Sequence, residues 1–311
     1  MEPTPEAAGF RCGTIAILGR PNVGKSTLLN ALVGTHLSIT SSKPQTTRNR
    51  VTGVLTREDA QYIFVDTPGL QFRHHSLLAR RMNAGAGAAL AGVDAVVLVT
   101  DAHGWKPDDD AVLAMLPRPA AGEGGRVVLA LNKTDGVRDK TALLPLIDGA
   151  RARFPFAAIV PVSAERQWQL EDLLRELRAL LPEGPALYGA DEITDRSVRF
   201  LAGELVREQA FRLLGDELPY GLAVRIEAWE ESEGRALVTA RIMVERPSQR
   251  VIVIGEGGAK LREIGTRARR AIERLLGKPV FLQTHVGIAG RWSQDARELD
   301  RLGVEGGRER P

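Results

Sequence analysis

Short apolar runs separated by helix-like stretches dominate the first two-thirds of the chain. Five runs are apolar at nearly every position, as expected for strands buried on both faces of a largely parallel sheet: 14–19, 62–66, 95–101, 127–133 and 158–163. Helix-like stretches lie at 26–34, 77–92, 108–117 and 170–182. This alternation predicts a doubly wound α/β domain, and the ligands of such domains bind at the carboxyl ends of the strands.

The last third of the chain has a different order of elements. It follows a stretch with two prolines and two glycines at 181–195, and we predict a helix at 196–214, strands at 223–231, 236–245 and 249–255, a helix at 258–276 and a strand at 280–287. This order predicts a compact α+β unit. The predicted boundaries are a flexible arm at 1–11, the α/β domain at 12–185, the α+β domain at 186–300 and a tail at 301–311.

Composition narrows the class of protein. A length of 311 residues is enough for two hydrophobic cores. Cys12 is the only cysteine, which excludes a disulfide framework or a cysteine-based metal site within one chain. No apolar run approaches the ~20 residues of a membrane span, and the N-terminal residues lack the basic start and apolar stretch of a secretory signal. We therefore expect a cytoplasmic protein.

The loop after the first predicted strand carries the strongest chemical signal. Its sequence, GRPNVGKST, satisfies GxxxxGK[ST] from Gly19 to Ser26, with a strand before it and a helix after it. In a P-loop, Gly24 lets the backbone wrap phosphates, Lys25 reaches the β- and γ-phosphate oxygens, and the Ser26 hydroxyl binds Mg²⁺. The spacing and context make an ordinary glycine turn the less favoured interpretation.

Three further motifs follow later strands in the expected order. DTPGL at 66–70 places Asp66 where it can hold a Mg²⁺ water and Gly69 where its N–H can face the γ-phosphate. NKTD at 132–135 ends with Asp135, whose carboxylate offers two acceptors to the paired N–H donors of guanine. Adenine lacks that pair of donors, so the motif predicts GTP rather than ATP. The Ala164 N–H of a following Ser-Ala pair can donate to guanine O6.

A polar segment at 41–50 suits a mobile switch whose threonine closes over Mg²⁺ and the γ-phosphate. We choose Thr47 for that role from its place in the TTR triplet, with Thr46 as the alternative. Ras-like enzymes place a water-orienting glutamine after the DxxG motif, but here that position is Leu70. Slow unassisted hydrolysis is therefore expected, with Gln45, Gln71 and a bound cation left open as sources of help.

These motifs define the candidate residues. The predicted catalytic residues are Lys25, Thr47, Asp66 and Gly69, and the predicted metal ligands are Ser26, Thr47 and Asp66. The predicted nucleotide-binding residues are Gly19, Arg20, Pro21, Asn22, Val23, Gly24, Lys25, Ser26, Thr27, Asp66, Thr67, Pro68, Gly69, Leu70, Asn132, Lys133, Thr134, Asp135, Ser163 and Ala164.

A second glycine loop, Gly255 to Gly258, lies in the last third and lacks the lysine-serine pair of a P-loop. The loop lies between a strand-like run and a helix, and KH domains use a GxxG loop to clamp the backbone of about four single-stranded nucleotides. Residues 246–278 carry nine Lys and Arg against three acidic residues, a local footprint for nucleic acid. The predicted RNA-binding residues are Gly255, Glu256, Gly257, Gly258, Lys260 and Arg262.

Five further segments add to the motifs quoted above: QTTR, EITDRSVRF, ELPYG, MVERPSQRVIVIGEGGAKLREIG and WSQDARELDRLG. Together they closely resemble the Era family of bacterial GTPases along nearly the whole chain. The resemblance implies a P-loop GTPase domain followed by a type II KH domain, with GTP or GDP and Mg²⁺ as ligands. It implies a monomer that binds small-subunit ribosomal RNA near its 3′ end, assists 30S assembly and does not bind DNA. A peripheral contact with the inner face of the cell membrane is left open.

Two residues bear on how closely the family pattern is followed. Related proteins commonly carry a lysine in the KH glycine turn, where this chain has Glu256-Gly257. Asn22 matches the P-loop asparagine of potassium-assisted GTPases, which makes K⁺ a candidate cofactor. The alternative functions are an RNA-binding module that uses GTP mainly as a structural ligand, and a GTPase that acts on another RNA or ribosomal particle.

Overall fold

The structure, a computed structural model, describes residues 9–40, 47–69, 76–119, 125–215, 221–302 and 304. Within these residues the chain forms one six-stranded sheet followed by one three-stranded sheet. Each sheet has its own hydrophobic core. No helix in this part of the chain is long and apolar enough to cross a membrane.

The first sheet has the strand order β2-β3-β1-β4-β5-β6, and β2 is antiparallel to β3 while the other neighbours are parallel. The elements are β1 Arg11–Leu18, α1 Lys25–Val33, β2 Val51–Thr56, β3 Ala60–Asp66, α2 Leu77–Leu90, β4 Ala95–Asp101, α3 Pro107–Leu113, β5 Val127–Asn132, α4 Leu143–Arg153, β6 Ala158–Pro161 and α5 Leu170–Leu180. The loops after β1, β3, β5 and β6 therefore lie at one edge of the sheet.

The sequence pattern missed two of these elements, β2 and α4. Strand β2 contains Gly53, which weakens a strand-like pattern because glycine has no side chain to pack. Here the absence of a side chain is used: a Cβ at Gly53 would lie 2.7 Å from Leu29 Cδ1 and 2.9 Å from Val33 Cγ2. Helix α1 thus packs closely over the edge of the sheet.

The second domain contains α6 Val198–Leu213, β7 Leu222–Glu231, β8 Ala236–Val244, α7 Pro247–Ile254, α8 Ala259–Leu276, β9 Val280–Ile288 and α9 Ala296–Arg301. Strand β8 lies in the centre of its sheet, antiparallel to β7 and parallel to β9. The core forms where the sheet meets α6 and α8, with Val206, Ile242 and Ile264 fully buried. The helix and strand order is that of an α+β unit, as predicted.

The prediction of a strand at 249–255 was wrong, because these residues form most of helix α7. Pro247 lies in the first turn, and the Gln249 side-chain oxygen accepts hydrogen bonds from the backbone N–H groups of Glu245 and Arg246, both at 2.9 Å. These capping interactions favour a helix despite the β-branched run at 251–254. The second glycine loop therefore joins two helices rather than a strand and a helix.

The segment between the domains runs along the open edge of β2. The Val54 N–H donates to the Ile193 carbonyl oxygen at 2.9 Å, and the Thr194 hydroxyl donates to the Thr52 carbonyl oxygen at 2.6 Å. Further along, the Gln61 side-chain oxygen accepts from the backbone N–H of Tyr188 at 2.9 Å. This segment is thus fixed to the first domain by hydrogen bonds.

Candidate functional site

The loop that joins β1 to α1 is folded around the Lys25 amino group. Gly24 has φ 97°, in the left-handed region that favours glycine, and caps α1. The Lys25 Nζ donates to the carbonyl oxygens of Gly19 at 2.9 Å and Arg20 at 3.1 Å. Burial lowers the pKa of Lys25 to about 8, although the nearby Asp66 carboxylate opposes this shift. The loop therefore presents a preformed, largely buried ammonium group that a phosphate can bind.

The three predicted metal ligands lie together at the carboxyl end of β3. Asp66 is fully buried, and its Oδ2 accepts from Ser26 Oγ and from Ser38 Oγ, each at 2.8 Å. Thr47 Oγ1 lies 2.7 Å from Ser26 Oγ and 3.5 Å from Asp66 Oδ2. Burial raises the pKa of Asp66, against the opposing effects of Lys25 and the three hydroxyl groups.

Asp66 Oδ1 is buried and has no hydrogen-bond partner among the described residues. An unpaired buried carboxylate oxygen is costly, and a cation beside it would remove that cost. Carboxylate and hydroxyl oxygens are the ligands that Mg²⁺ prefers. Ser26, Thr47 and Asp66 thus fit a magnesium ion, with Ser38 as a neighbour that the sequence pattern did not identify.

Gly69, the last described residue of the DTPG motif, lies against the phosphate loop. A Cβ at this position would lie 3.2 Å from Lys25 Nζ and 3.3 Å from the Pro21 Cα atom. A side chain at this position would therefore require Lys25 or the phosphate loop to shift by a few tenths of an ångström. Leu70, which follows, lies outside the described residues, as do Thr46 and the two candidate glutamines, Gln45 and Gln71.

The base-binding motif is tied to both neighbouring loops through Asn132. Its Nδ2 donates to the Val23 carbonyl oxygen at 2.8 Å, and its Oδ1 accepts from the Ala164 N–H at 3.0 Å. The Asp135 side chain is exposed, and its Oδ1 accepts from Ser163 Oγ at 2.6 Å. The hydroxyl group orients the carboxylate that the sequence assigns to the guanine edge. Asn132 therefore connects the phosphate loop, the NKTD loop and the Ser-Ala loop through its side-chain hydrogen bonds.

Arg20 contributes its backbone to the phosphate loop, while its side chain points to helix α3. Its Nε donates to Asp109 Oδ2 at 3.2 Å, and Asp109 is fully buried. The same oxygen accepts from the Lys106 N–H at 2.9 Å at the start of α3. Asp109 thus fixes the loop from outside, a contact between distant segments that no local sequence signal could have shown.

Residues in and next to the switch segment contact the second domain. The buried Glu208 of α6 accepts from His36 Nε2 at 2.9 Å and from the Thr40 N–H at 3.0 Å. Arg48, which follows Thr47, donates to the Leu222 carbonyl oxygen at 2.6 Å. The Arg48 guanidinium also lies over the aromatic ring of Trp292, at 5.3 Å from its centroid. Sequence reasoning missed these contacts because each needs both domains.

The second glycine loop is open to solvent at the junction of α7 and α8. Gly255, Gly257 and Gly258 have φ values of 72°, 54° and 77°, all in the left-handed region. Glu256 and Gly257 are exposed. Among the described residues, no ion pair is made by six cations of this region: Arg246, Arg250, Lys260, Arg262, Arg270 and Arg274. The loop and its cations can therefore face an anionic chain.

The strand-loop-helix phosphate site, the guanine motif and the second domain define a P-loop GTPase with a KH domain. Family models for a 50S ribosome-binding GTPase and a KH domain match residues 14–133 and 217–293. The chain is 48% identical over 296 residues to GTPase Era of Bordetella avium, covering 95% of this chain and 98% of that protein. It is 49% identical to GTPase Era of Xylella fastidiosa, with the same coverage. The chain belongs to the Era family of GTPases.

Solved structures agree with this assignment. A point variant of Aquifex aeolicus Era bound to GDP·AlF4⁻ superposes with a TM-score of 0.90 at 37% identity, covering 95% of this chain and all of that one. Era in complex with MgGDPNP and nucleotides 1506–1542 of 16S ribosomal RNA gives the same TM-score and identity, and covers 95% of this chain and 99% of that chain. The expected family and the expected order of GTPase and KH domains are confirmed.

Proposed function

We propose that this GTPase is a cytoplasmic switch that binds small-subunit ribosomal RNA near its 3′ end through the KH domain and assists 30S assembly. The observation that carries the proposal is a phosphate loop and a guanine motif in one site, followed by an open GxxG loop beside six cations that make no ion pair among the described residues. An Era protein with 37% identity and a TM-score of 0.90 was solved with MgGDPNP and a 16S ribosomal RNA segment, which supports the same ligands here.

At the nucleotide, the chain's own groups bind and orient the ligand. The Lys25 ammonium exchanges its carbonyl partners for β- and γ-phosphate oxygens, and the backbone N–H groups that begin α1 donate to phosphate. The Asp135 carboxylate, oriented by Ser163, accepts the paired N–H donors of guanine. These groups place the γ-phosphate against the Gly69 backbone.

Ser26, Thr47 and Asp66 would hold Mg²⁺ or its bound waters in this site. When bound, the ion neutralises charge that develops on the β- and γ-phosphate oxygens during transfer. The protein residues fix the positions of these oxygen ligands, and Asp66 is fully buried.

Water positioning is the step for which the motifs provide no glutamine. Asn22 has φ 65°, an uncommon conformation for a residue with a side chain, and it lies within the phosphate loop. We infer that a potassium ion beside Asn22 supplies the positive charge that hydrolysis needs. Without this ion we expect GTP hydrolysis to be slow, because the Leu70 side chain cannot orient the attacking water.

At the RNA, the glycine loop allows close approach of a phosphodiester backbone. Adding a Cβ to Gly257 or Gly258 would meet no atom within 4 Å, so this surface is free for a ligand. Lys260 and Arg262, in the first turn of α8, would add phosphate contacts. The negative charge of Glu256 opposes phosphate binding. At the tip of the loop, we therefore expect phosphate contacts from backbone N–H groups rather than from charged side chains.

The test is the double substitution Gly257→Asp with Gly258→Asp. Two carboxylates at the loop should repel phosphate, so affinity for an oligonucleotide of the small-subunit RNA 3′ end should fall by about 100-fold or more while GDP affinity stays unchanged. Gly234→Asp, in the exposed turn between β7 and β8, is a control for a carboxylate added elsewhere on the surface of the same domain. Unchanged RNA affinity in a double variant that keeps its circular dichroism spectrum would contradict the proposal.

Two further measurements separate the alternatives. GTP turnover with and without RNA distinguishes a switch, whose rate changes, from an RNA-binding module in which GTP is structural. Sedimentation with 30S and 50S particles shows which particle is bound, and binding to 50S alone would contradict the proposed partner. The monomeric state and the peripheral membrane contact stay predictions, to be checked by light scattering and by flotation with anionic vesicles.

A further inference from the structure

The Asp101 carboxylate lies between the phosphate loop and the base loop and has no role in the site described so far. Strand β4 lies between β1 and β5 in the sheet, and Asp101 is its last residue, aligned with Asn132. The side chain is 14% exposed. A carboxylate at this place can influence both ends of a bound nucleotide.

Asp101 uses both of its oxygens. Its Oδ2 accepts from Lys133 Nζ at 2.9 Å, and its Oδ1 accepts from the His103 N–H at 3.0 Å and from the His103 ring Nδ1 at 2.7 Å. The Arg20 Nη2 atom lies 3.9 Å from Oδ2. Partial burial alone would raise the pKa of Asp101, but the hydrogen bonds from His103 and Lys133 lower it to about 2.

Lys133 is held from two sides by this arrangement. Besides its bond to Asp101, Nζ donates to the Asn22 carbonyl oxygen at 2.7 Å. The Lys133 backbone has φ 68°, which turns the chain sharply before Asp135. A lysine side chain is long and flexible, so two acceptors restrict it before any ligand binds.

We propose that Asp101 is a positioning residue for guanine nucleotides. It holds the Lys133 side chain, whose apolar stem would pack over the base, and the same side chain contacts the phosphate loop through the Asn22 carbonyl oxygen. This role rests on the guanine site proposed above. In this role Asp101 acts on the nucleotide through Lys133 rather than by direct contact. Its contribution is to fix Lys133 in the binding conformation, so its loss weakens nucleotide binding without changing which base is preferred.

The first experiment compares Asp101→Ala with Asp108→Ala in the full chain. Asp108 lies in the first turn of α3 and, among the described residues, makes no hydrogen bond or ion pair with Lys133, Asn22 or Asn132. With fluorescent N-methylanthraniloyl GDP, Asp101→Ala should bind about 10-fold or more weakly, since a hydrogen bond to a charged group is lost, and Asp108→Ala should bind as the wild type does. Affinity for inosine diphosphate should fall by the same factor.

A double-mutant cycle separates positioning from general destabilisation. In a Lys133→Ala background, Asp101→Ala should cause little further loss of GDP affinity, because the side chain that Asp101 positions is gone. Asp101→Asn keeps an oxygen acceptor and should recover part of the affinity. In both Asp101 variants KM for GTP should rise while kcat at saturating GTP stays near wild type.

Three results would overturn the positioning role: Asp101→Ala binding within about twofold of wild type, equal losses in both backgrounds of the cycle, or kcat falling while KM stays unchanged. Asp101→Asn serves the same test if Asp101→Ala does not fold. Failure of the wild-type protein to bind GDP would be a different outcome, because it would overturn the guanine site itself and the positioning role with it.

Discussion

The two glycine loops of this protein differ in what surrounds them. In the loop after β1, a Cβ added to Gly24 would collide with the Asn132 side chain, and Lys25 is buried beneath the backbone. In the loop after α7, Gly257 and Gly258 have similar left-handed conformations but no atom within 4 Å of an added Cβ. Glycine is thus favoured by both packing and backbone conformation at Gly24, and by backbone conformation alone at Gly257 and Gly258.

The difference follows from the ligands. A nucleotide is small, so the chain must surround it, and the Lys25 amino group is in place before the phosphates arrive. A single-stranded RNA is a long anion that brings many phosphates, so an exposed loop beside a row of cations is sufficient. A glycine motif alone does not identify its ligand; the burial of the residues around it does.

The largest expected effect comes from substituting Gly24. Gly24→Ala adds a side chain in a left-handed conformation and against Asn132, so GDP affinity should fall by about 100-fold or more. Gly257→Ala is the matched change in the second loop and should only lower the free energy of unfolding by about 1 kcal/mol. Titration with labelled GDP and chemical denaturation measure the two effects. Equal losses of GDP affinity in both variants would remove the distinction between the loops.

Asp135→Asn tests the base-binding end of the first site. The asparagine amide keeps one acceptor oxygen but places an NH2 group opposite the second guanine donor, at a cost of roughly 1–3 kcal/mol in binding. GTP affinity should fall while xanthosine triphosphate becomes a ligand, because the carbonyl oxygen at C2 of xanthine accepts a hydrogen bond from the new amide NH2 group. If the variant keeps full GTP affinity and gains none for xanthosine triphosphate, Asp135 does not read the base.

Exchange of the monovalent cation tests the phosphate end. Hydrolysis in potassium should exceed hydrolysis in sodium at equal ionic strength by a factor of about 10, which corresponds to ~1.4 kcal/mol in the barrier. RNA affinity should be the same in both salts. Equal turnover in the two salts would exclude a potassium ion beside Asn22 and leave GTP binding untouched.

The smallest effect concerns one cation beside the second loop. Lys260→Ala should weaken RNA binding a few-fold and reduce the slope of log affinity against log salt by about 0.7, the value for one contact to a single strand. GDP affinity should not change. Measuring RNA affinity at several salt concentrations gives the slope, and an unaltered slope would mean that Lys260 makes no phosphate contact.

The sequence pattern predicted most of the first domain because each of its buried strands is a short, nearly continuous run of apolar residues. The P-loop, the DTPG motif and the NKTD motif each follow a strand, and parallel strands bring their carboxyl ends together. The prediction failed where the secondary structure that the local residues favour differs from the one that they adopt in the fold. Gly53 weakened the strand pattern of β2, and the β-branched run at 251–254 gave α7 the pattern of a strand. Val251 of that run is 70% exposed, although an apolar run predicts burial.

Side-chain contacts between distant segments could not be predicted. Glu208 is on a helix of the second domain, yet it accepts hydrogen bonds from His36 and Thr40 of the first. Asp109 and Ser38 likewise join the site only after the chain has folded. A motif gives the chemistry of its own residues, but the neighbours that fix their orientation depend on the packing of separate elements.

The connecting segment along β2 has a consequence for how the domains can be separated. An uncovered edge strand presents unpaired N–H and C=O groups to other molecules and favours edge-to-edge association. Here the Val54 N–H and the Thr52 carbonyl oxygen are bonded to Ile193 and Thr194. A chain that ended at residue 185 would keep every nucleotide motif and lose this cover. We therefore expect an isolated GTPase domain to expose the β2 edge to association unless the residues up to 195 are retained.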